Sequence, residues 1–431
     1  MTRASKRTYL DPIHHDITLD RQKPEEKLIV DLIDTPEFQR LRRIQQLGIS
    51  SFTFQGAESS RFTHSVGVMH VAGNLLNLLA DECPDVLEQK AVVLASALLH
   101  DVGHGPYSHV TEKILGYNHE DWSCRIILGD TEVRSILDSY SGHPNLADTL
   151  VRVLKKTYSP KYVSQLISSQ LDCDRFDYLL RDSYMTGTAY GLFALQRILS
   201  SLEVDQSGDR IIVSGEKGQN AVEDYLFARY SMYAQVYYHK KNLAVRAHLA
   251  KLINRAKYVQ QDCYMDEQTR RWIMGEDLAV AEYLYLDDIQ MTYHIKKWTT
   301  ANDTILADLA SRFLNRRLFK AMHIPHKDLQ LIKDVEQQAR VKAKAHGFDP
   351  DYYIACESTD FRPYDYYRPD SDIPQTNIMV RTESGKICEL SKLSGTIEAL
   401  VKGNYESYWL IFPTELTIEL DSIKELVPST K

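Results

Sequence analysis

His100-Asp101 closes the most apolar stretch of the chain, KAVVLASALLHD. Burying an ionisable pair without partners is expensive, so the position calls for an explanation. A divalent cation is one: neighbouring His and Asp at a helix terminus can reach the same ion through an imidazole nitrogen and a carboxylate oxygen. A capping His beside a surface Asp is the plainer alternative for the dipeptide alone. His64, in RFTHS near the start of another helix, and Asp174, in LDCDRFDYLLRDS on a third, extend it to an H…HD…D series. Two imidazoles and two carboxylates on packed helices form a mixed N/O site with positions left open for water and phosphate oxygens. Metal-assisted hydrolysis needs such a site.

A second pattern concerns charge. Between Asp224 and Asp262 there is no acidic residue, while Arg229, Lys240, Lys241, Arg246, Lys251, Arg255 and Lys257 all fall in that span. On a continuous helix Arg229, Tyr233 and Tyr237 share one face. Arg with aromatic rings suits a nucleoside polyphosphate, charge for phosphates and rings for sugar and base. A solvated basic helix is the alternative. Asp174, Tyr178 and Asp182 likewise recur every four residues, with Arg175 beside the first.

The elements that must hold these residues read as mainly α. Helices are expected over 28–47 (interrupted at Asp34-Thr35-Pro36-Glu37), 62–82, 90–101, 119–140, 145–156, 162–182, 219–261, 267–286, 300–321 and 328–345, with a short β-hairpin at 203–216. After His346-Gly347 the short β-rich runs NIMV, KICEL and YWLIF indicate a small α/β appendage, residues 346–431, on a core of residues 1–345. The 431 residues carry a net charge of −8, 43% hydrophobic and 26% charged side chains. That composition supplies a large core and a polar surface and argues against a general nucleic-acid coat. No apolar run reaches the roughly 20 residues of a membrane span. The six widely spaced Cys, with no C-x-x-C pair, suit a reducing compartment.

The stretches DPIHHDITL, IDTPEFQRLRRIQQLG, RFTHSVGVMHVAG, LLHDVGHGPYSH, NHEDWS, LDCDRFDYLLRDS and ARYSMYAQVYYHKK resemble, in order, the HD-domain phosphohydrolase superfamily. Within it the likeness is to the dNTP triphosphohydrolases of the sterile-alpha-motif and HD-domain type, without the sterile-alpha-motif domain. The resemblance implies His64, His100, Asp101 and Asp174 as ligands of one divalent ion (Mn, Fe, Mg, Zn or Ni). It implies His104, His109, His119 and Glu120 as the catalytic cluster, the carboxylate of Glu120 orienting the His119 ring. A His near its ordinary pKa suits proton transfer at neutral pH, whereas His70 reads as structural. Gln46, Leu47, Arg61, Arg175, Tyr178, Asp182, Arg229 and Tyr237 would bind substrate, Arg175 standing where the family has Lys. Arg7, Asp34, Gln39 and Arg42 would bind an activating nucleotide such as GTP or dNTP, with a second ion, at a subunit interface.

The implied function is hydrolysis of a dNTP to deoxynucleoside and triphosphate by a cytoplasmic homo-oligomer, dimer or tetramer. An HD-type nucleotidase or phosphodiesterase acting on another nucleotide is the alternative. A nucleic-acid binder or nuclease using the basic span is a third reading, against which the acidic total and the lack of an aromatic strand platform count.

Overall fold

The computed structural model describes residues 5–205, 207–325, 327–361, 364, 377–403 and 406–416. At its centre lies the helix Lys90–Leu99, every residue of which after Lys90 is buried. A helix that is apolar all round must be covered on all sides. The helices Pro24–Ile33, Arg61–Ala80, Leu146–Leu154 and Lys161–Ile167 do this. The His64 helix, Arg61–Ala80, packs in turn against Cys173–Thr186, the helix carrying Asp174. The His64 helix therefore adjoins both of the other helices that could ligate the same ion.

Side-chain caps fix where the functional helices begin. Asp172 accepts from the Arg175 backbone N–H and starts Cys173–Thr186, which places Asp174 in its first turn. Asn118 accepts from the N–H groups of Glu120 and Asp121 and starts His119–Leu128. Each cap satisfies donors that a helix leaves open at its N-terminus.

The mainly helical architecture agrees with the sequence, but several expected helices are shorter. The 28–47 segment becomes Pro24–Ile33, Pro36–Gln39 and a 3₁₀ turn Arg40–Arg43. The 119–140 segment divides into His119–Leu128 and Glu132–Ser139, the second capped by Thr131. The 162–182 segment divides at Ser168–Asp172, and 267–286 divides at Gly275. The segment at 300–321 shortens to Thr304–Leu314, and Asp288–Trp298 is a helix that hydropathy did not suggest. The long basic segment is Gly215–Met232, a π-helical turn Tyr233–Tyr237, and then Lys240–Tyr258.

Nine strands form three small sheets among the described residues. β1 (Lys6–Asp11) and β2 (His15–Asp20) make an antiparallel hairpin that the sequence reading did not anticipate. Asp11 closes its turn by accepting from the N–H groups of Ile13 and His14. β3 (Leu202–Val204) and β4 (Ile211–Ser214) are the expected hairpin. β4 pairs in parallel with β7 (Met379–Arg381), which pairs with β8 (Ile387–Glu389). β5 (Lys320–Ile324) and β6 (Ala355–Thr359) flank β9 (Ser407–Phe412), both antiparallel. The β4–β7 and β5–β9 pairings cross the boundary placed at residue 346, because strands on both sides of it complete each other's sheets. Residues 417–431 of that expected appendage lie outside the described residues. Among the described residues, no helix is long and apolar enough to cross a membrane.

Candidate active site

The H…HD…D series converges. His64, His100 and Asp101 each bring a ligand atom within 4.8 Å of the others. Asp174, partly exposed, places Oδ1 3.0 Å from His64 Nε2 and 3.7 Å from His100 Nε2. The imidazoles are presented in a defined tautomer. His100 Nδ1 lies 2.8 Å from the Ala97 carbonyl oxygen and His64 Nδ1 lies 2.8 Å from Asp177 Oδ2. Both partners can only accept, so each Nδ1 carries the proton and each Nε2 turns a lone pair inward. Both Nε2 atoms are buried and neither has a hydrogen-bond partner. Buried nitrogens are rarely left so, and a cation between them and the two carboxylates resolves the deficit. The donor set fits a first-row divalent ion.

The carboxylates favour positive charge at the same point. Burial opposes a charge on His64, yet Asp174 and Asp177 outweigh it and push the ring up to about 10, and a cation bound there would take the place of the Nε2 proton. Burial likewise opposes charge on Asp174, and His100 and His64 nevertheless hold its carboxyl well below the usual range. The Asp101 carboxyl is also held low despite burial, by His100 and Arg61, and Arg61 is its ion-pair partner.

His104, His109 and His119 form a second cluster beside the first. The rings of His104 and His119 stack at 3.9 Å, and His109 meets His119 edge-on at 5.1 Å. His104 Nε2 lies 3.4 Å from Asp101 Oδ1, which links the two groups. Burial, then Arg61 and His119, hold the His104 ring well below its ordinary value, so it is neutral. A carboxylate that the sequence did not suggest, Glu112, contacts the rings, while Glu120 lines the cavity beside them. Glu120 is exposed at the start of its helix, whereas Glu112 Oε1 lies 2.9 Å from His119 Nδ1 and Glu112 Oε2 lies 2.9 Å from His109 Nδ1. The helix His109–Leu115 explains the exchange: Glu112 sits one turn after His109 and points back toward it.

The cluster opens onto a cavity of about 550 Å³, within the usual range for a small-molecule site. Gln46, Leu47, Arg61, Arg175, Tyr178, Asp182 and Tyr237 line it together with Asp101, His109, His119 and Asp174. The Tyr237 hydroxyl donates to Asp182 Oδ2 at 2.8 Å, while Asp182 Oδ1 is buried without a partner. Burial pushes the Asp182 carboxyl up to about 7, against the Tyr237 hydrogen bond. Arg175 is folded back onto the Ser169 carbonyl and Asp172.

Arg229 is buried behind the wall and donates to Gln170 Oε1 at 2.7 Å; it does not line the cavity. The one-face argument for Arg229 and Tyr237 assumed an unbroken α-helix, and the π turn between them changes the angular spacing. Most of the basic span points elsewhere. Arg255 pairs with Asp303 and Lys251 donates to the Asp351 carbonyl. Of the lysines and arginines in that span, the cavity wall takes Arg246, which Glu357 of β6 holds at 2.6 Å.

Residues expected to bind an activator lie on the outer surface. Arg7 of β1 pairs with exposed Asp34, and Arg42 donates to Gln39 Oε1 at 2.8 Å while lying 3.6 Å over the Phe62 ring. His70 bonds Asn74, one turn along its own helix. Sequence reasoning missed Asp177, Glu112 and Arg246. The signal for Asp177 was available, since it stands three residues after Asp174 on a helix that must face His64.

Comparison with known proteins fixes the ancestry. The HD domain family matches residues 61–182 and the HD associated region matches residues 193–410. The Bacillus subtilis protein YwfO is 38% identical over 418 residues, spanning 96% of this chain and 93% of that protein. The chain belongs to the HD domain family. The HD match opens at Arg61 and closes at Asp182, so it contains both His clusters and the Asp174 helix as far as Asp182. A deoxynucleoside triphosphate triphosphohydrolase SAMHD1 homolog of Dictyostelium discoideum is 31% identical over 236 residues. That alignment spans 52% of this chain and 45% of the relative. The crystal structure of a phosphohydrolase from Bacteroides thetaiotaomicron superposes with a TM-score of 0.78 at 28% identity. It covers 94% of this chain and 99% of that one.

Proposed function

We propose that this HD-domain phosphohydrolase converts deoxynucleoside triphosphates to deoxynucleoside and triphosphate. The observation that carries the reading is the pair of buried, unpartnered Nε2 atoms of His64 and His100, facing two carboxylates beside a cavity of nucleotide size. His64, His100, Asp101 and Asp174 would hold one divalent ion. Such an ion supplies Lewis-acid polarisation of a phosphoryl oxygen and lowers the pKa of a nearby water.

The remaining work falls to side chains. Arg61 and Arg175 meet phosphate charge, Arg175 by leaving Asp172 for the substrate. Water attacks the α-phosphorus and the bond from that phosphorus to the sugar oxygen breaks. The leaving oxygen takes a proton from His109 or His119, whose Nδ1 atoms Glu112 holds, and the proton released by the attacking water restores that ring. His104 stays neutral and packs the His119 ring from behind. Asp182 Oδ1 is an open acceptor for a sugar hydroxyl, and Tyr237, Gln46 and Leu47 close around the ring of the sugar. We assign Arg229 to the wall that supports Tyr233, over whose ring its guanidinium lies at 5.9 Å.

The SAMHD1 relative, a deoxynucleoside triphosphate triphosphohydrolase by name, supports the choice of dNTP. By the motif resemblance alone, the reading extends to an activating nucleotide with its own ion at Arg7, Asp34, Gln39 and Arg42 between subunits of a homo-oligomer. The six free cysteines suit a cytoplasmic setting. The test is direct. Purified protein is incubated with each dNTP and NTP, with Mn²⁺ or Mg²⁺ and with or without GTP, and the products are resolved. Deoxynucleoside plus triphosphate supports the reading. Monophosphate products, or ribonucleotides preferred over dNTPs, contradict it in favour of another HD-type nucleotidase.

A further inference from the structure

We propose that Asp288 is a positioning residue for this site, its carboxylate tying the turn that carries Gln46 to the turn that presents His109. The proposal rests on reading the cavity as the substrate site. Asp288 opens the helix Asp288–Trp298, outside the HD match, yet it is buried against two cavity walls. Its Oδ2 accepts from the Gln45 backbone N–H at 2.8 Å and its Oδ1 accepts from the Tyr107 N–H at 2.7 Å. Four residues along the same helix, Thr292 Oγ1 meets the Tyr107 hydroxyl at 2.8 Å.

The two turns so joined are unusual. Tyr107 and Ser108 are consecutive non-glycine residues at φ 56° and 53°. Non-glycine residues there are strained and persist only where their surroundings impose it. His109 follows immediately, at the start of its helix. The turns also touch directly. Ser108 Oγ donates to the Gln45 carbonyl at 3.2 Å and accepts from Arg61 Nε at 3.1 Å. Gly48, at φ +51°, lies so close that a Cβ there would stand 3.0 Å from the Tyr107 carbonyl oxygen.

Asp288 is therefore the one buried carboxylate accepting from both turns among the described residues. Through them it sets three groups of the cavity: Gln46 next to Gln45, His109 next to Ser108, and Arg61 bonded to Ser108. Burial pushes the Asp288 carboxyl up to about 6, and the Gln45 and Tyr107 amides restrain it. Both its oxygens accept a backbone N–H, an arrangement that the ionised carboxylate satisfies. Asn at this position would offer one acceptor and turn an NH₂ toward the other amide.

The test compares Asp288→Asn and Thr292→Val with wild type by amide hydrogen exchange, dNTP kinetics and Mn²⁺ binding measured with the metal alone. Asp288→Asn should speed exchange at one of the two amides, Gln45 or Tyr107, by roughly 10-fold or more, one lost hydrogen bond. It should lower kcat/KM by about 10- to 100-fold, moving both kcat and KM, with Mn²⁺ affinity within about 2-fold. Thr292→Val loosens only the Tyr107 turn, so kcat should fall about 3-fold with KM unchanged. Unchanged exchange at both turns overturns the proposal, as does a lowered melting temperature with wild-type kcat and KM. If Asp288→Asn does not fold, Thr292→Val decides: wild-type kcat overturns the proposal. The exchange readout needs no substrate, so it stands even if the protein turns over no dNTP, a result that would sink the functional reading instead.

Discussion

Replacing Asp177 with Asn should weaken metal binding although Asp177 touches no metal. The carboxylate is fully buried and accepts four contacts. They come from His64 Nδ1 at 2.8 Å, His14 Nε2 at 2.7 Å, and Arg181 Nε and Nη2, both at 2.8 Å. It thus fixes the tautomer and direction of His64 and, through its charge, raises the basicity of that ring. Loss of such an outer carboxylate costs roughly 10- to 100-fold in metal affinity, about 1.4 to 2.8 kcal/mol. Removing the charge also leaves Arg181 with Asp11 alone, at 2.8 Å. Breaking a buried pair costs about 3–5 kcal/mol, and the surviving Asp11 contact puts this case near the lower end. Titration calorimetry with Mn²⁺ alone, beside urea unfolding of the metal-free protein, separates the two effects. Wild-type Mn²⁺ affinity in a folded Asp177→Asn protein would refute the reasoning. Gly67 offers a check from the other side, because a Cβ there would fall onto Asp177 Oδ1 and Arg181 Nη2. Gly67→Ala should therefore reproduce both losses without altering any charge.

Glu112→Gln should lower kcat about 100-fold or more, the scale of a lost general acid–base group, while Glu120→Gln stays within a few-fold. Equal effects in single-turnover assays would restore Glu120 to the role. The Asp182 carboxyl, pushed by burial up to about 7, predicts a pH effect on stability. Its protonated form stabilises the fold fully below about pH 4, and that contribution is lost as pH rises through about 7. The loss approaches about 4 kcal/mol. Urea midpoints should thus fall more steeply for wild type than for Asp182→Asn between pH 4 and pH 7; parallel curves would contradict it.

The sequence located the candidate metal series because ligation restricts residue type as well as spacing; His64, His100 and Asp101 converge, and Asp174 meets His64 at 3.0 Å. Adjacency in sequence misled where helix geometry decides. His119-Glu120 looked like a pair, yet consecutive helical residues point about 100° apart, and Glu112 reaches His119 from a different helix. The basic span misled for a similar reason. Arg229, Tyr233 and Tyr237 were read as one face of a continuous basic helix, but a π turn and a break at His239 divide that helix, and Asp303, Asp351 and Glu357 from later elements take several of its arginines and lysines. Those partners are remote in sequence, so no local pattern could announce them. The hairpin β1–β2 and the strand pairings across residue 346 were hidden likewise, since pairing is a property of two segments. The helix Asp288–Trp298 carries exposed Ile289 and Tyr293 beside buried Met291 and Ile295, which blurs its periodicity.

The central claim is a substitution at the α-phosphorus within this site, and the position of the incoming oxygen tests it most directly. Hydrolysis of a dNTP in heavy-oxygen water with Mn²⁺, followed by mass spectrometry, should place the label in triphosphate and none in the deoxynucleoside, with Asp101→Ala inactive. Label in the deoxynucleoside, or in inorganic phosphate or diphosphate released beside a nucleotide, would contradict the account.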